Sequence, residues 1–255
     1  MKLYRFQHGP KPAYGVLRED NLFLVEGSVF GDFKVGRESW PIGRATLLPP
    51  VEPSKIVAVG VNYRDHALER GRGLPSEPLL FLKPPSALIG PNETIIYPRM
   101  SKRVDYEGEL AVVIKQTARQ LDDRTPVEDR ILGYTCFNDV TARDLQDKDV
   151  QFTRAKSFDT FAAAGPCIVT DLDPSDVEIK TFLNGKLKQS SSTKNLIFPV
   201  AELVRFISRV MTLYPGDIIT TGTPAGIGPM QPGDRVDVQI EGIGTLSNTI
   251  MKVWD

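Results

Sequence analysis

Short runs of alternating apolar and polar residues, punctuated by Gly and Pro, dominate the chain and predict strands more than helices. In the first 50 residues Leu3 to Phe6, Tyr14 to Leu17 and Asn21 to Val25 are such runs, broken by Gly9-Pro10, Gly27 and Gly31, and they read as a small meander. Leu48-Pro49-Pro50-Val51-Glu52-Pro53 then places three prolines in five positions, which suits an extended connection and marks a boundary. Beyond it, Lys55 to Val61, Leu79 to Lys83, Ala87 to Ile89, Glu93 to Tyr97, Gly133 to Val140, Gly165 to Thr170, Ile218 to Thr221, Arg235 to Ile240 and Gly244 to Val253 carry strand patterns. Val177 to Leu183 and Lys186 to Gln189 flank Asn184-Gly185, which supplies both positive-φ positions of a type I′ hairpin turn. The lysines of that hairpin mark a protected sheet edge. Sustained helical spacing is confined to Pro199 to Leu213, where Val200, Leu203, Val204, Ile207, Val210 and Met211 form the expected buried stripe. Shorter helices are expected at 63–69, capped by Asn62, and at 126–131 and 141–146.

One strand pattern carries chemistry. Val104 to Ile114 runs from two carboxylates, Glu107 and Glu109, into an apolar, β-branched segment. Alternation puts both acids on one face about 7 Å apart, with Ala111 and Val113 continuing that face inward. Two acids so placed in low dielectric raise each other's pKa or demand a neutralising partner, either a bound cation or a basic side chain. The plain alternative is a pair of solvent-facing glutamates near a strand end.

Composition narrows the class of protein without changing this picture. A chain of 255 residues with 41% hydrophobic and 25% charged residues and a net charge of -1 is an ordinary globular protein with no electrostatic footprint for nucleic acid or an anionic membrane. Two cysteines, Cys136 and Cys167, in separate apolar settings, predict packed thiols in a reducing compartment. Met1 to Phe6 lacks the apolar core of a signal peptide, and no apolar run approaches the ~18 residues of a membrane span. A cytoplasmic location is expected. His8, beside Gly9-Pro10, reads as a turn histidine.

Further candidates lie along the chain. His66 and Glu69 are three apart on the 63–69 helix, close enough for the carboxylate to orient the imidazole; that spacing is more often a surface ion pair than a catalytic dyad. Asp139 ends an apolar strand, where it reads as a cap for the next helix or as a third oxygen ligand to a cation at Glu107 and Glu109. Lys156 is the internal cation of a polar-aromatic loop. Thr221 to Pro229 is glycine-rich, yet prolines and strand pattern follow it, so it reads as a close backbone approach and not as a phosphate cradle.

In order, Gly60-Val61-Asn62-Tyr63 with His66, Phe81-Leu82-Lys83-Pro84, Tyr106-Glu107-Gly108-Glu109-Leu110, Asn138 to Asp144, Ala155 to Asp159 and Thr221 to Pro229 resemble the fumarylacetoacetate hydrolase family over residues 54–253. The resemblance implies a β-rich α+β fold, a mixed β-sandwich roll, preceded by a small β-rich domain over 1–50, and a homodimer. It implies Mg²⁺, with Mn²⁺ or Ca²⁺ as alternatives, on Glu107, Glu109 and Asp139. It makes His66 and Glu69 a catalytic dyad on a short lid and puts Lys156 beside the metal, with Arg143, Gln146 and Thr223 as substrate contacts. Arg143 is otherwise expected to pair with an acid such as Asp139 or Asp144. The implied activity is hydrolysis of a carbon-carbon bond in a small acylpyruvate-like oxo acid through a metal-stabilised enolate. Oxaloacetate decarboxylation or tautomerisation and isomerisation of a 2-hydroxydienoate are the alternatives, since the same groups serve each. A non-catalytic metal-binding protein is the reading from another class.

Overall fold

The computed structural model describes residues 1–69 and 73–252. Four strands open the chain: β1 (Lys2–His8), β2 (Lys11–Arg18), β3 (Asn21–Gly27) and β4 (Phe33–Pro41). Next come β5 (Ile56–Gly60), helix α1 (Arg64–Glu69), β6 (Leu79–Lys83), β7 (Leu88–Ile89), β8 (Thr94–Tyr97), β9 (Val104–Tyr106) and β10 (Gly108–Ile114). The middle holds β11 (Ile131–Asp139), β12 (Thr141–Ala142), α2 (Arg143–Lys148), α3 (Thr153–Lys156) and β13 (Ala162–Val169). The hairpin β14 (Glu178–Leu183) and β15 (Lys186–Ser192) precedes α4 (Val200–Val210), and β16 (Ile218–Thr220), β17 (Gly228–Met230), β18 (Arg235–Ile240) and β19 (Gly244–Lys252) finish it. Val253, the expected end of the last strand, lies outside the described residues.

Among the described residues these strands form three sheets. The largest has 11 strands in the order β4-β3-β2-β1-β13-β11-β10-β16-β5-β6, with β7 beside β13. The N-terminal meander enters it through β1, whose Lys2 and Leu3 pair with Val169 and Ile168. A second sheet is β12-β9-β17 and a third β15-β14-β18-β19-β8. The ladders β5–β16, β7–β13 and β8–β19 are parallel among otherwise antiparallel neighbours. This is the β-rich α+β class with mixed sheets. The Asn184-Gly185 turn has positive φ at both residues, and β15 is an edge strand, as its lysines predict.

Strand alternation divides the apolar side chains into two cores. Leu110 and Val112 join Ile179, Val236, Val238, Ile240 and Leu246 of the third sheet and Leu203, Val204 and Ile207 of α4. Ala111 and Val113, one residue out of phase, join Leu3, Ile56, Phe137, Ile168 and Ile218 on the opposite face. Each large side chain so buried contributes about 1.5–3 kcal/mol of transfer free energy. The two cysteines are buried free thiols in the first core.

Four local expectations need correction. The run Val104 to Ile114 is two strands in two sheets, with Glu107 at the crossing. Gly108 makes the switch sterically feasible, since a Cβ there would lie 2.1 Å from Thr181 Oγ1 on β14. Asn62 does not cap α1; its side chain holds Phe198 N, Phe198 O and Thr221 O, tying β5 to the segments before α4 and after β16. α4 stops at Val210, which is 58% exposed, and the buried stripe drifts to Ser208, whose Oγ accepts from Leu121 N at 3.1 Å. The helix expected at 126–131 is a single 3-10 turn, Glu128–Arg130.

Candidate active site

The end of the apolar face carrying Ala111 and Val113 opens into a cavity of about 310 Å³. Its wall holds Glu107, Glu109, Asp139, His66, Arg143, Gln146, Lys156 and Thr223 together with Val61, Leu79, Phe81 and Phe152. Glu107 and Glu109 arrive from the β9–β10 crossing and Asp139 from the end of β11, the strand paired with β10. The three carboxylates are buried and offer oxygens that all lie within 4.8 Å of one another. Such a set of hard oxygen donors suits a divalent cation.

Three protein cations meet these acids. Lys156 Nζ donates to Glu107 Oε2 at 2.9 Å and to Asp139 Oδ2 at 2.6 Å. Arg143 donates through Nη2 to Glu107 Oε1 and through Nε to Asp105 Oδ2, the latter at 2.9 Å. Lys83, from β6, takes the other oxygen of Asp139 and donates to Val140 O at 3.2 Å. Burial pushes the Glu107 carboxyl up, but Lys156 and Arg143 outweigh it and hold the group well below the usual carboxylate range. Glu109 goes the other way. Burial and then the charges of Asp139 and Glu107 raise it well above its ordinary value, and Gly222 N is its amide donor at 2.8 Å. An acid so raised by its neighbours is what a missing positive charge would correct, so the residues present fit a divalent ion. Burial also works against the charge of Lys156, yet Asp139 and Glu107 keep it above the ordinary lysine value; at Lys83 burial prevails and lowers it.

His66 is 6% exposed, and its Nδ1 lies 3.1 Å from Glu69 Oε2. The other oxygen of Glu69 accepts from Gly226 N at 3.1 Å, and Asp65 accepts from Ser191 Oγ at 2.8 Å, so α1 is pinned over the cavity at two points. The glycine-rich segment thus makes the close approach its composition implies. Gly222 has φ of 92° and a Cβ there would lie 2.9 Å from Asn62 Cβ. Thr223 lines the cavity, but its hydroxyl donates to Gly108 O and accepts from Gln189 Nε2, both at 2.9 Å. Gln146 accepts from Arg143 Nη1. Arg143 pairs with Asp105 and Glu107 instead of Asp139 or Asp144; Asp144 accepts from Ser101 Oγ and Lys102 N. Lys83 and Asp105 are the residues that sequence reasoning left without a role. For Lys83 a signal existed, a lone cation ending the apolar run Leu79-Leu80-Phe81-Leu82. Among the described residues, no helix is long and apolar enough to cross a membrane.

A β-rich mixed-sheet fold with three converging carboxylates beside a buried histidine that a partly exposed glutamate holds defines a class of enzyme. The pattern described as fumarylacetoacetate (FAA) hydrolase C-terminal matches residues 55–251, and one described as Rv2993c-like, N-terminal, matches residues 1–50. The chain belongs to the fumarylacetoacetate hydrolase family. A protein of Archaeoglobus fulgidus is 54% identical over 91% of this chain and 95% of its own length. The oxaloacetate tautomerase YisK of Bacillus subtilis is 35% identical over 98% of this chain and 89% of its own. Among solved structures, 2-hydroxyhepta-2,4-diene-1,7-dioate isomerase from Mycobacterium marinum superposes with a TM-score of 0.92 at 42% identity, covering 100% of both chains. Maleylpyruvate hydrolase from Sphingobium, in complex with manganese (II) and pyruvate, gives 0.82 at 29% identity, again over 100% of both.

Proposed function

We propose that the protein is a divalent-metal-dependent enzyme that moves a proton on a small 2-oxo acid, interconverting keto and enol forms or double-bond isomers. The observation that carries this reading is the buried His66 imidazole, held at Nδ1 by Glu69 in one cavity with three carboxylates. Glu107, Glu109 and Asp139 would hold Mg²⁺, with Mn²⁺ or Ca²⁺ as alternatives, and such an ion supplies Lewis acidity at a chelating carbonyl. The rest falls to the side chains. With Nδ1–H donating to Glu69, neutral His66 accepts a proton at Nε2, and on the substrate it takes one from the carbon beside the carbonyl and returns it elsewhere. Lys156 and Arg143 meet the substrate's carboxylate, and Gln146 and Thr223 complete the wall. Val61, Leu79, Phe81 and Phe152 supply the apolar part of the wall. The likeness to an oxaloacetate tautomerase over nearly the whole chain, and to a dienedioate isomerase at 42% identity, supports proton transfer as the reaction.

Hydrolysis is the second reading, and the likeness to a maleylpyruvate hydrolase favours it. The same base would then take its proton from water, which attacks the distal carbonyl and breaks the carbon-carbon bond. The two separate on a panel of oxaloacetate, a 2-hydroxydienoate and acylpyruvates with Mg²⁺ or Mn²⁺. Loss of enol absorbance with no new acid or CO₂ supports proton transfer; acid from acylpyruvates supports hydrolysis; no turnover of any member refutes both. His66→Gln is expected to lower turnover by about 10²–10⁴-fold while keeping Mn²⁺ binding, and full activity in that variant removes the base assignment.

A further inference from the structure

Acids and protein cations meet in equal number at the cavity. Glu107, Glu109 and Asp139 bring three negative charges, and Lys83, Lys156 and Arg143, all in direct contact with them, bring three positive ones. In number the protein's own cations already match the acids that would hold a divalent ion, and their ion pairs fall on Glu107 and Asp139. The three cations are not equally committed. Lys83 reaches Asp139 from β6 and is also tied to the Val140 carbonyl. Arg143 is anchored at Nε by Asp105, which Arg103 grips in turn with two hydrogen bonds of 2.9 and 3.1 Å. The hydrogen bonds of Lys156 run to the triad itself, one to Glu107 and one to Asp139, so its ammonium bridges two of the three carboxylates.

We infer that the Lys156 ammonium and a divalent ion compete for Glu107 and Asp139, so that loading the ion is what frees this lysine for the anionic substrate. The inference rests on the metal reading proposed above. Two cations drawn to the same oxygens inside a buried site repel each other, and the one on a flexible four-carbon stem is the one that yields. Lys156 has somewhere to go. Its Nζ already lies 5.0 Å from the centroid of the Phe81 ring, on the cavity wall, where a cation finds a favourable aromatic face. A site carrying both the ion and the displaced ammonium has surplus positive charge, and an incoming carboxylate cancels it. Metal and oxo acid therefore strengthen each other's binding by the same factor.

The test counts bound Mn²⁺ by the EPR signal of the free ion, in wild type, Lys156→Met and Lys156→Gln, with and without pyruvate. The two neutral variants are expected to bind Mn²⁺ alone at least about tenfold more tightly than wild type. Pyruvate is expected to tighten Mn²⁺ binding by about tenfold in wild type and little in the variants. The rise in Tm on adding Mn²⁺, larger in the variants than in wild type, reads the same affinity independently and shows that they are folded. Variants that keep the native circular dichroism yet bind Mn²⁺ no more tightly than wild type overturn the inference and leave the metal reading standing. Wild-type protein that takes up no Mn²⁺ with or without pyruvate overturns both.

Discussion

Two buried acids of this protein, Asp217 and Glu109, have opposite surroundings. Asp217, between α4 and β16, is fully buried and accepts from Ser54 N at 3.0 Å, Ser54 Oγ at 2.6 Å, Lys55 N at 3.2 Å and Tyr214 N at 2.8 Å, besides its ion pair with Lys55. Most of those donors are backbone or short side chains that cannot leave, and the Lys55 ammonium is held 4.8 Å from the Tyr214 ring centroid. Glu109 is as deeply buried but shares its space with Glu107 and Asp139 and faces a cavity. The difference separates two uses of a buried carboxylate. One saturated by fixed donors clamps chain segments together, whereas one crowded by other acids at a cavity wall is poised to take a new partner.

Glu109→Ala should have the largest effect. Divalent-ion binding is expected to vanish and turnover to fall more than about a thousandfold, since a Lewis acid is worth several kcal/mol. Tm is expected to hold or rise, because a crowded carboxylate is gone. Metal titration and thermal melts check the two halves, and a variant that loses stability while keeping the ion contradicts them. Asp217→Ala should do the reverse. Stability is expected to fall by about 3–5 kcal/mol, as for other broken buried ion pairs, and Tm by roughly 10 °C. The turnover of each folded molecule should be unchanged, so active-site-normalised kinetics decide whether the clamp is separate from the site.

The smallest effect lies on the alkaline side. Burial pushes the hydroxyls of Tyr14, Tyr106 and Tyr134 up to about 12. The folded state therefore holds protons that the unfolded chain releases near its ordinary tyrosine pKa of about 10. That stabilisation is complete below pH about 10 and is lost as pH rises through about 12. Melts between pH 8 and 12 should show the decline, and Tyr134→Phe should make it shallower. An unchanged slope in that variant would assign the alkaline limit to other groups.

How much of the site could be read along the chain depends on how far apart its partners lie. The i, i+2 spacing of Glu107 and Glu109 and the i, i+3 spacing of His66 and Glu69 are local, and the cavity receives both glutamates and His66, with Glu69 behind the imidazole, even though the strand around Glu107 is broken between two sheets. The Asn-Gly hairpin and the apolar stripe of α4 are equally local, and they form with their boundaries shifted by a few residues. Arg143 was legible as a cation in need of an acid, but Asp105 and Glu107 lie 38 and 36 residues away and reach it only through β9 and the β9–β10 crossing. Lys83 and Asp139 are 56 residues apart. Nothing in either stretch alone names the other.

The facing of side chains was legible along the chain, because a strand's period of two and a helix's turn follow from backbone geometry. So were the shared side of Glu107, Glu109, Ala111 and Val113, the meeting of His66 with Glu69 and, through motifs in order, the family. Only the tertiary structure decided which acids do what. Asp217, in the turn Pro215-Gly216-Asp217, looks like any turn residue, yet it is a clamp because Ser54 and Lys55, 163 and 162 residues away, come to it. Asp139, ending a strand like a capping residue, joins Glu107 and Glu109 in the carboxylate cluster because β10 and β11 pair, and Lys83 and Lys156 close on its two oxygens. The physical reason is that a buried charge is defined by its neighbours, and here those neighbours are brought together by sheet pairing across long stretches of chain.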